Sequence, residues 1–220
     1  MTRRDLPRLT TGGRAAYRVL RALCAGAAAV LWRVEVDGLE RLPVAGPFVL
    51  APVHRSYVDF LVVAVAVPRV MRFMVKNSIW KSRGLGWAVA YMGSFPVDRD
   101  RPDREALRHC EQSIEGGDPV VMFPEGQRRS GDVVEELFDG PAWVACRYRV
   151  PVVPVGLGGT DRAMPIGAKM IRPARVRVVI GEPIYPEVPA TGRVPRRLVG
   201  ELTDRLRDEV QRLYDEARAA

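Results

Sequence analysis

The sequence predicts a single α/β domain with a largely parallel or mixed sheet flanked by helices and an amphipathic helix at the N-terminus. Three observations predict this. Short apolar runs rich in Val and Phe alternate with segments of helical periodicity along the whole chain. At 220 residues the chain is long enough to bury one sizeable core. No internal repeat, low-complexity tract or linker divides it, so residues 34–220 are read as one domain behind a basic segment and helix over 1–33.

The elements follow in order. Residues 1–11 are basic and proline-containing, and 12–33 read as a helix. The longest apolar run in that helix, from Ala22 to Trp32, has 11 residues, against the roughly 20 that span a bilayer. Arg14, Arg18, Arg21 and Arg33 surround it, so the segment reads as an interfacial helix or, equally, as an N-terminal helix packed on the domain, and not as a spanning one. Strands are expected over 34–37, 48–52, 72–76, 94–97, 119–123, 150–155 and 175–180. Helices are expected over 57–67, which Pro68 stops, and over 78–91, 103–115, 141–148 and 195–218. In the last of these, Leu198, Leu202, Leu206, Val210 and Leu213 form the inward stripe.

Composition narrows the function. The formal net charge is +8, and of 34 basic residues three are lysines (Lys76, Lys81, Lys169) and 31 are arginines. Such a surface favours an anionic partner. There is no nucleic-acid-binding module and no basic run with interleaved aromatics, so no nucleic-acid partner is expected. Cys24, Cys110 and Cys146 are odd in number and lack metal-ligand spacing, which points to reduced thiols and no metal site. The Gly84-Leu85-Gly86 stretch lacks the third glycine of a dinucleotide loop.

The chemistry centres on the stretch from Phe48 to Phe60. Only two histidines exist, and His54 stands at the end of an apolar strand with Asp59 five residues on. Histidine titrates closest to neutral pH, so His54 is the best general-base candidate. In a continuous helix residues five apart sit about 140° apart, so the two meet only if the chain bends between them. Ser56 is read as the N-cap that makes the bend, with Asp59 in the first turn. The same residues also fit a structural capping box. In α/β sheets the carboxyl ends of strands converge on one crevice. Arg99 follows the 94–97 strand, and Glu125, Gly126 and Arg128 follow the 119–123 strand, with Gly126 permitting an unusual dihedral or a close ligand approach.

These residues resemble a known family. His54-Arg55-Ser56-Tyr57-Val58-Asp59 resembles the H-x4-D motif of the glycerophospholipid acyltransferases, and Gly93-Ser94-Phe95-Pro96-Val97-Asp98-Arg99 is similar to their second block. Phe123-Pro124-Glu125-Gly126-Gln127-Arg128 resembles the third, F-P-E-G-x-R, and Val150-Pro151-Val152-Val153-Pro154-Val155 the fourth. The four lie in family order; Val53 and Gln127 depart from the residues usual at their positions. Of Arg128 and Arg129, register favours Arg128 for the third-block arginine.

The resemblance implies a glycerol-3-phosphate acyltransferase-like fold. It also implies acyl transfer from acyl-coenzyme A or acyl carrier protein to a lysophospholipid hydroxyl, most simply that of 1-acylglycerol-3-phosphate. His54 would be the base and Asp59 its orienting acid, while Arg99, Glu125, Gly126 and Arg128 would form the acceptor site. The thioester is a co-substrate, and no further cofactor is implied. The enzyme would sit peripherally on the anionic, cytoplasmic face of the cell membrane. Another glycerolipid or polyol acceptor, or a thioesterase or lipid hydrolase of the same fold, stays open. The absence of a G-x-S-x-G elbow weighs against the hydrolase.

Overall fold

The computed structural model describes residues 11–76, 94–97, 104–189 and 193–219. The elements run α1 (Thr11–Trp32), β1 (Glu35–Asp37), a 3-10 turn (Leu39–Arg41), β2 (Val49–Pro52), α2 (Asp59–Ala66), β3 (Arg72–Lys76) and β4 (Phe95–Val97). Then come α3 (Arg104–Glu115), β5 (Val120–Val121), α4 (Gly140–Tyr148), β6 (Val152–Gly158), α5 (Thr160–Ala163), β7 (Arg177–Ile180) and α6 (Arg196–Arg218). The expected α/β class is what forms. The helix expected over 78–91, and Arg99, lie outside the described residues.

The sheet order is β1-β7-β6-β2-β5-β3-β4. Strands β6, β2, β5, β3 and β4 are mutually parallel, β7 runs antiparallel to β6, and β1 pairs parallel with β7. Every residue of β2 and β6 is buried, as expected of central strands covered on both faces. The order has a direct consequence for the site. Because β2 and β5 are neighbours, the loops at their carboxyl ends, one carrying His54 and the other Glu125 and Arg128, must adjoin.

Helix α6 lies on β6 at very short range, and two glycines permit it. A Cβ at Gly156 would overlap the Leu213 backbone, and one at Gly158 the Ala217 backbone. The stripe expected for α6 is buried from Leu202 to Leu213, but Val199 rather than Leu198 is the buried residue of the first turn, and Tyr214 and Ala217 extend the stripe.

Helix α1 departs from its expected character. Tyr17, Ala28 and Trp32 face the core, while Val19, Leu23 and Val30 face outward. Two arginines read as surface charges turn inward. Arg21 donates to the carbonyls of Ala64, Val65 and Val67 at 2.9–3.2 Å, satisfying the open C-terminus of α2. Arg14 bonds Asp118 at 2.7 Å, where Arg72 also binds. With two of its three arginines used internally and Arg18 exposed, the outer face of α1 beyond Arg18 is left apolar. By length and composition Gly12–Trp32 could cross a membrane, and only 17% of its most apolar window is buried.

Candidate functional site

The chain leaves β2 at Pro52 and turns through residues 53–58 before α2 begins at Asp59. Ser56 is not the N-cap. That position is Val58, in helical conformation without a side-chain cap. The hydroxyl of Ser56 instead donates to the Met164 carbonyl at 2.6 Å and accepts the Val58 N–H at 3.3 Å. The turn is held by Asp59 itself. Its Oδ2 accepts the backbone N–H groups of Arg55 and Ser56 at 2.7 Å each, and His54 Nδ1 lies 2.8 Å from the same oxygen.

A carboxylate oxygen that accepts two backbone N–H groups is acceptor-only, so Nδ1 carries the hydrogen and donates it. The basic lone pair is thereby assigned to Nε2, which is buried and has no hydrogen-bond partner among the described residues. The imidazole stacks on Phe123, with ring centroids 4.0 Å apart and planes 25° apart. Asp59 on one nitrogen and Phe123 on one face fix the ring, leaving Nε2 as its uncommitted atom.

The backbone of His54 is tied to the neighbouring loop. Its N–H donates to Glu125 Oε2 at 2.8 Å, and its carbonyl accepts the Arg129 N–H at 2.9 Å. Glu125 is buried, and its carboxylate takes Arg55 Nη1 at 2.6 and 2.7 Å. In this arrangement Glu125 joins the two loops. Arg55 continues the link, donating to the carbonyls of Gly131 and Val133 and lying 4.8 Å over the ring of Tyr214 on α6. Burial raises the pKa of the Tyr214 phenol and the adjacent Arg55 opposes that rise. Its hydroxyl donates to Gly131 O.

Gly126 adopts φ +66°, and a Cβ there would overlap the ring of Phe138. The unusual dihedral expected of this glycine thus exists, and its close neighbour is a side chain of the same loop. The two arginines that follow are treated differently. Arg129 pairs with Glu135 at 3.1 Å, whereas Arg128 has no ion pair or hydrogen bond among the described residues. The Arg128 guanidinium sits 3.7 Å over the ring of Tyr57. Stacking of this kind holds a cation in place without neutralising it.

The structure therefore brings together His54, Asp59, Glu125, Gly126 and Arg128. Sequence reasoning assigned no site role to Arg55, Phe123 or Tyr57. All three lie inside the recognised blocks, but nothing in their spacing says that one pairs with a glutamate 70 residues away or that two are ring platforms.

Comparison with known proteins gives concordant results. Residues 33–158 match the family model described as Acyltransferase. A chloroplastic 1-acyl-sn-glycerol-3-phosphate acyltransferase of Brassica napus is 32% identical over 70% of this chain and 46% of its own length. The Bacillus subtilis protein of the same name is 28% identical over 69% of this chain and 74% of its own. The chain thus spans about half the length of some relatives and three quarters of others. The crystal structure of the 1-acyl-sn-glycerophosphate acyltransferase of Thermotoga maritima superposes with a TM-score of 0.72 at 25% identity, covering 90% of this chain and 81% of that one.

Proposed function

The chain belongs to the acyltransferase family, and from that premise we propose that it moves a fatty acyl group from an acyl thioester to the free hydroxyl of 1-acylglycerol-3-phosphate, giving phosphatidic acid. The observation that carries the proposal is the unpartnered Nε2 of an imidazole whose other nitrogen is held by a buried carboxylate. Nε2 takes the proton of the acceptor hydroxyl as its oxygen attacks the thioester carbonyl. The tetrahedral adduct collapses with cleavage of the carbon–sulfur bond, and the imidazolium returns its proton to the departing thiolate. Asp59 stabilises the cation in between. Base assistance of this kind contributes about a hundredfold to ten-thousandfold. The thioester is already activated, so the reaction needs no protein nucleophile.

Arg128 supplies the acceptor site with a stacked guanidinium free to bind a phosphate. The family resemblance assigns Arg99, in the second block, to the same phosphate. The names of the relatives support lysophosphatidate as the acceptor, and the donor is acyl-coenzyme A or acyl carrier protein. The apolar outer face of α1 and the net charge of +8 support a location on an anionic membrane surface, at the cytoplasmic face where such donors are found.

The test is thiol release from oleoyl- or palmitoyl-coenzyme A across a panel of lysolipids, with His54→Ala in parallel. Release that requires lysophosphatidate and falls at least about a hundredfold in the variant is the expected result. Release without any acceptor would make the protein a thioesterase, and undiminished release by His54→Ala would remove the base.

A further inference from the structure

Between α5 and β7 the chain makes an excursion that the proposed reaction does not use. It is closed at its base by Arg172 N–H donating to Ala163 O at 2.8 Å. Its apolar side chains, Ile166, Met170 and Ile171, point outward rather than into the core, and Met170 is 75% exposed. An outward cluster of this kind in a monomer marks a surface that something covers.

The excursion is continuous with two other parts of the molecule. At one end it is bonded to the C-terminus of α1. Trp32 Nε1 donates to Arg172 O at 3.2 Å, Ala174 N–H to Leu31 O at 3.2 Å, and Val176 N–H to Trp32 O at 3.0 Å. That is where α1 shows outward apolar groups, with Val30 82% exposed and Leu31 beside it. At the other end, the Met164 carbonyl receives the Ser56 hydroxyl, two residues from His54.

The charge pattern selects the occupant. Between Arg162 and Gly181 the sequence has no acidic residue, and α1 has none either. Lys169, Arg172 and Arg175 are exposed and form no ion pair among the described residues. A second copy seated on this face would bring like charges together. Nucleic acid would match the cations but not the protruding aliphatic groups. An anionic lipid surface matches both, since apolar side chains enter the acyl boundary while cations meet the headgroups.

We infer that residues 164–173 form a membrane contact additional to α1, which seats on anionic lipid and sets the His54 turn against the bilayer from which the acceptor is drawn. This rests on the proposed acyl transfer for its purpose, but not for its test. Partition of the full chain into phosphatidylglycerol and phosphatidylcholine vesicles is measured by sedimentation without substrate. The chain carrying Ile166→Ser, Met170→Ser and Ile171→Ser is expected to bind phosphatidylglycerol vesicles about tenfold or more weakly. A second variant, with Lys169→Gln, Arg172→Gln and Arg175→Gln, is expected to lose binding to phosphatidylglycerol vesicles and not to phosphatidylcholine. Thermal melting checks that each variant folds.

Wild-type partition by both variants would overturn the inference. So would unchanged partition accompanied by a fall in mass from dimer to monomer, which would make the face a protein interface. Thiol release is then compared with lysophosphatidate in vesicles and with a short-chain analogue in solution. Loss confined to the vesicle substrate supports the contact, while equal loss on both would make the loop part of the chemistry and overturn it. Wild-type silence on both acceptors with intact vesicle binding would defeat the acyl-transfer reading alone.

Discussion

Asp59 Oδ2 lies 2.8 Å from His54 Nδ1 while accepting two backbone N–H groups from the turn that separates the two residues. One oxygen therefore shapes the turn and orients the imidazole. In Asp59→Asn the backbone bonds can persist through the amide oxygen, but the imidazolium loses its counter-charge. The expected result is a kcat at least about a hundredfold lower, with acceptor KM little changed. Steady-state kinetics with lysophosphatidate check this, and wild-type kcat would show that Asp59 serves only the turn.

Glu125 and Arg55 form a buried pair, with Arg55 2% and Glu125 1% exposed. Removing one member leaves the other charge uncompensated in the interior. Glu125→Ala is expected to cost about 3–5 kcal/mol of unfolding free energy. It should cost activity as well, since His54 N–H loses its acceptor. Urea unfolding measures the first, and a loss below about 1 kcal/mol would mean that the pair is readily replaced by solvent.

Tyr57 is expected to act on the acceptor through Arg128. The contact at 3.7 Å is partly solvated, so it is worth about 0.5–1 kcal/mol, or about two- to fivefold in affinity. Tyr57→Leu should raise KM for a phosphorylated acceptor by that factor and leave the KM of the acyl donor alone, while Tyr57→Phe should behave as wild type. A change in donor KM of the same size would exclude this role.

Gly156 faces the backbone of Leu213 on α6. Gly156→Ala forces the helix off β6, and overpacking of this kind costs about 1–3 kcal/mol. In a chain of this size that lowers Tm by about 2–4 °C per kcal/mol. Differential scanning calorimetry reads it, and an unchanged Tm would mean that α6 can slide without loss.

Much of the fold was legible because it follows from local pattern. The apolar runs that became β2, β3 and β6, and the periodicity of α3 and α6, depend on which residues recur along a few turns or a few strand positions. The bend between His54 and Asp59 was legible for the same reason, since five residues in helix would hold them apart. The source of the bend was not. Ser56 has the composition of a cap, but α2 begins at Asp59 with Val58 in the cap position, and the Ser56 hydroxyl donates instead to the Met164 carbonyl, which is brought in from 108 residues away by the tertiary fold.

The sequence by itself determined the α/β class, the family resemblance and the residue types of the site, because these depend on side-chain chemistry and on neighbours in the chain. Only the tertiary structure decided how the charges are spent. Sheet order made β2 and β5 neighbours and so joined Glu125 to His54 and Arg55. Packing turned Arg14 and Arg21 inward, gave Arg129 a glutamate and, among the described residues, left Arg128 with an aromatic ring and no ion pair. The sequence has 31 arginines that look alike, and whether a guanidinium is structural or free to meet a phosphate depends on which distant groups folding brings within about 4 Å of it.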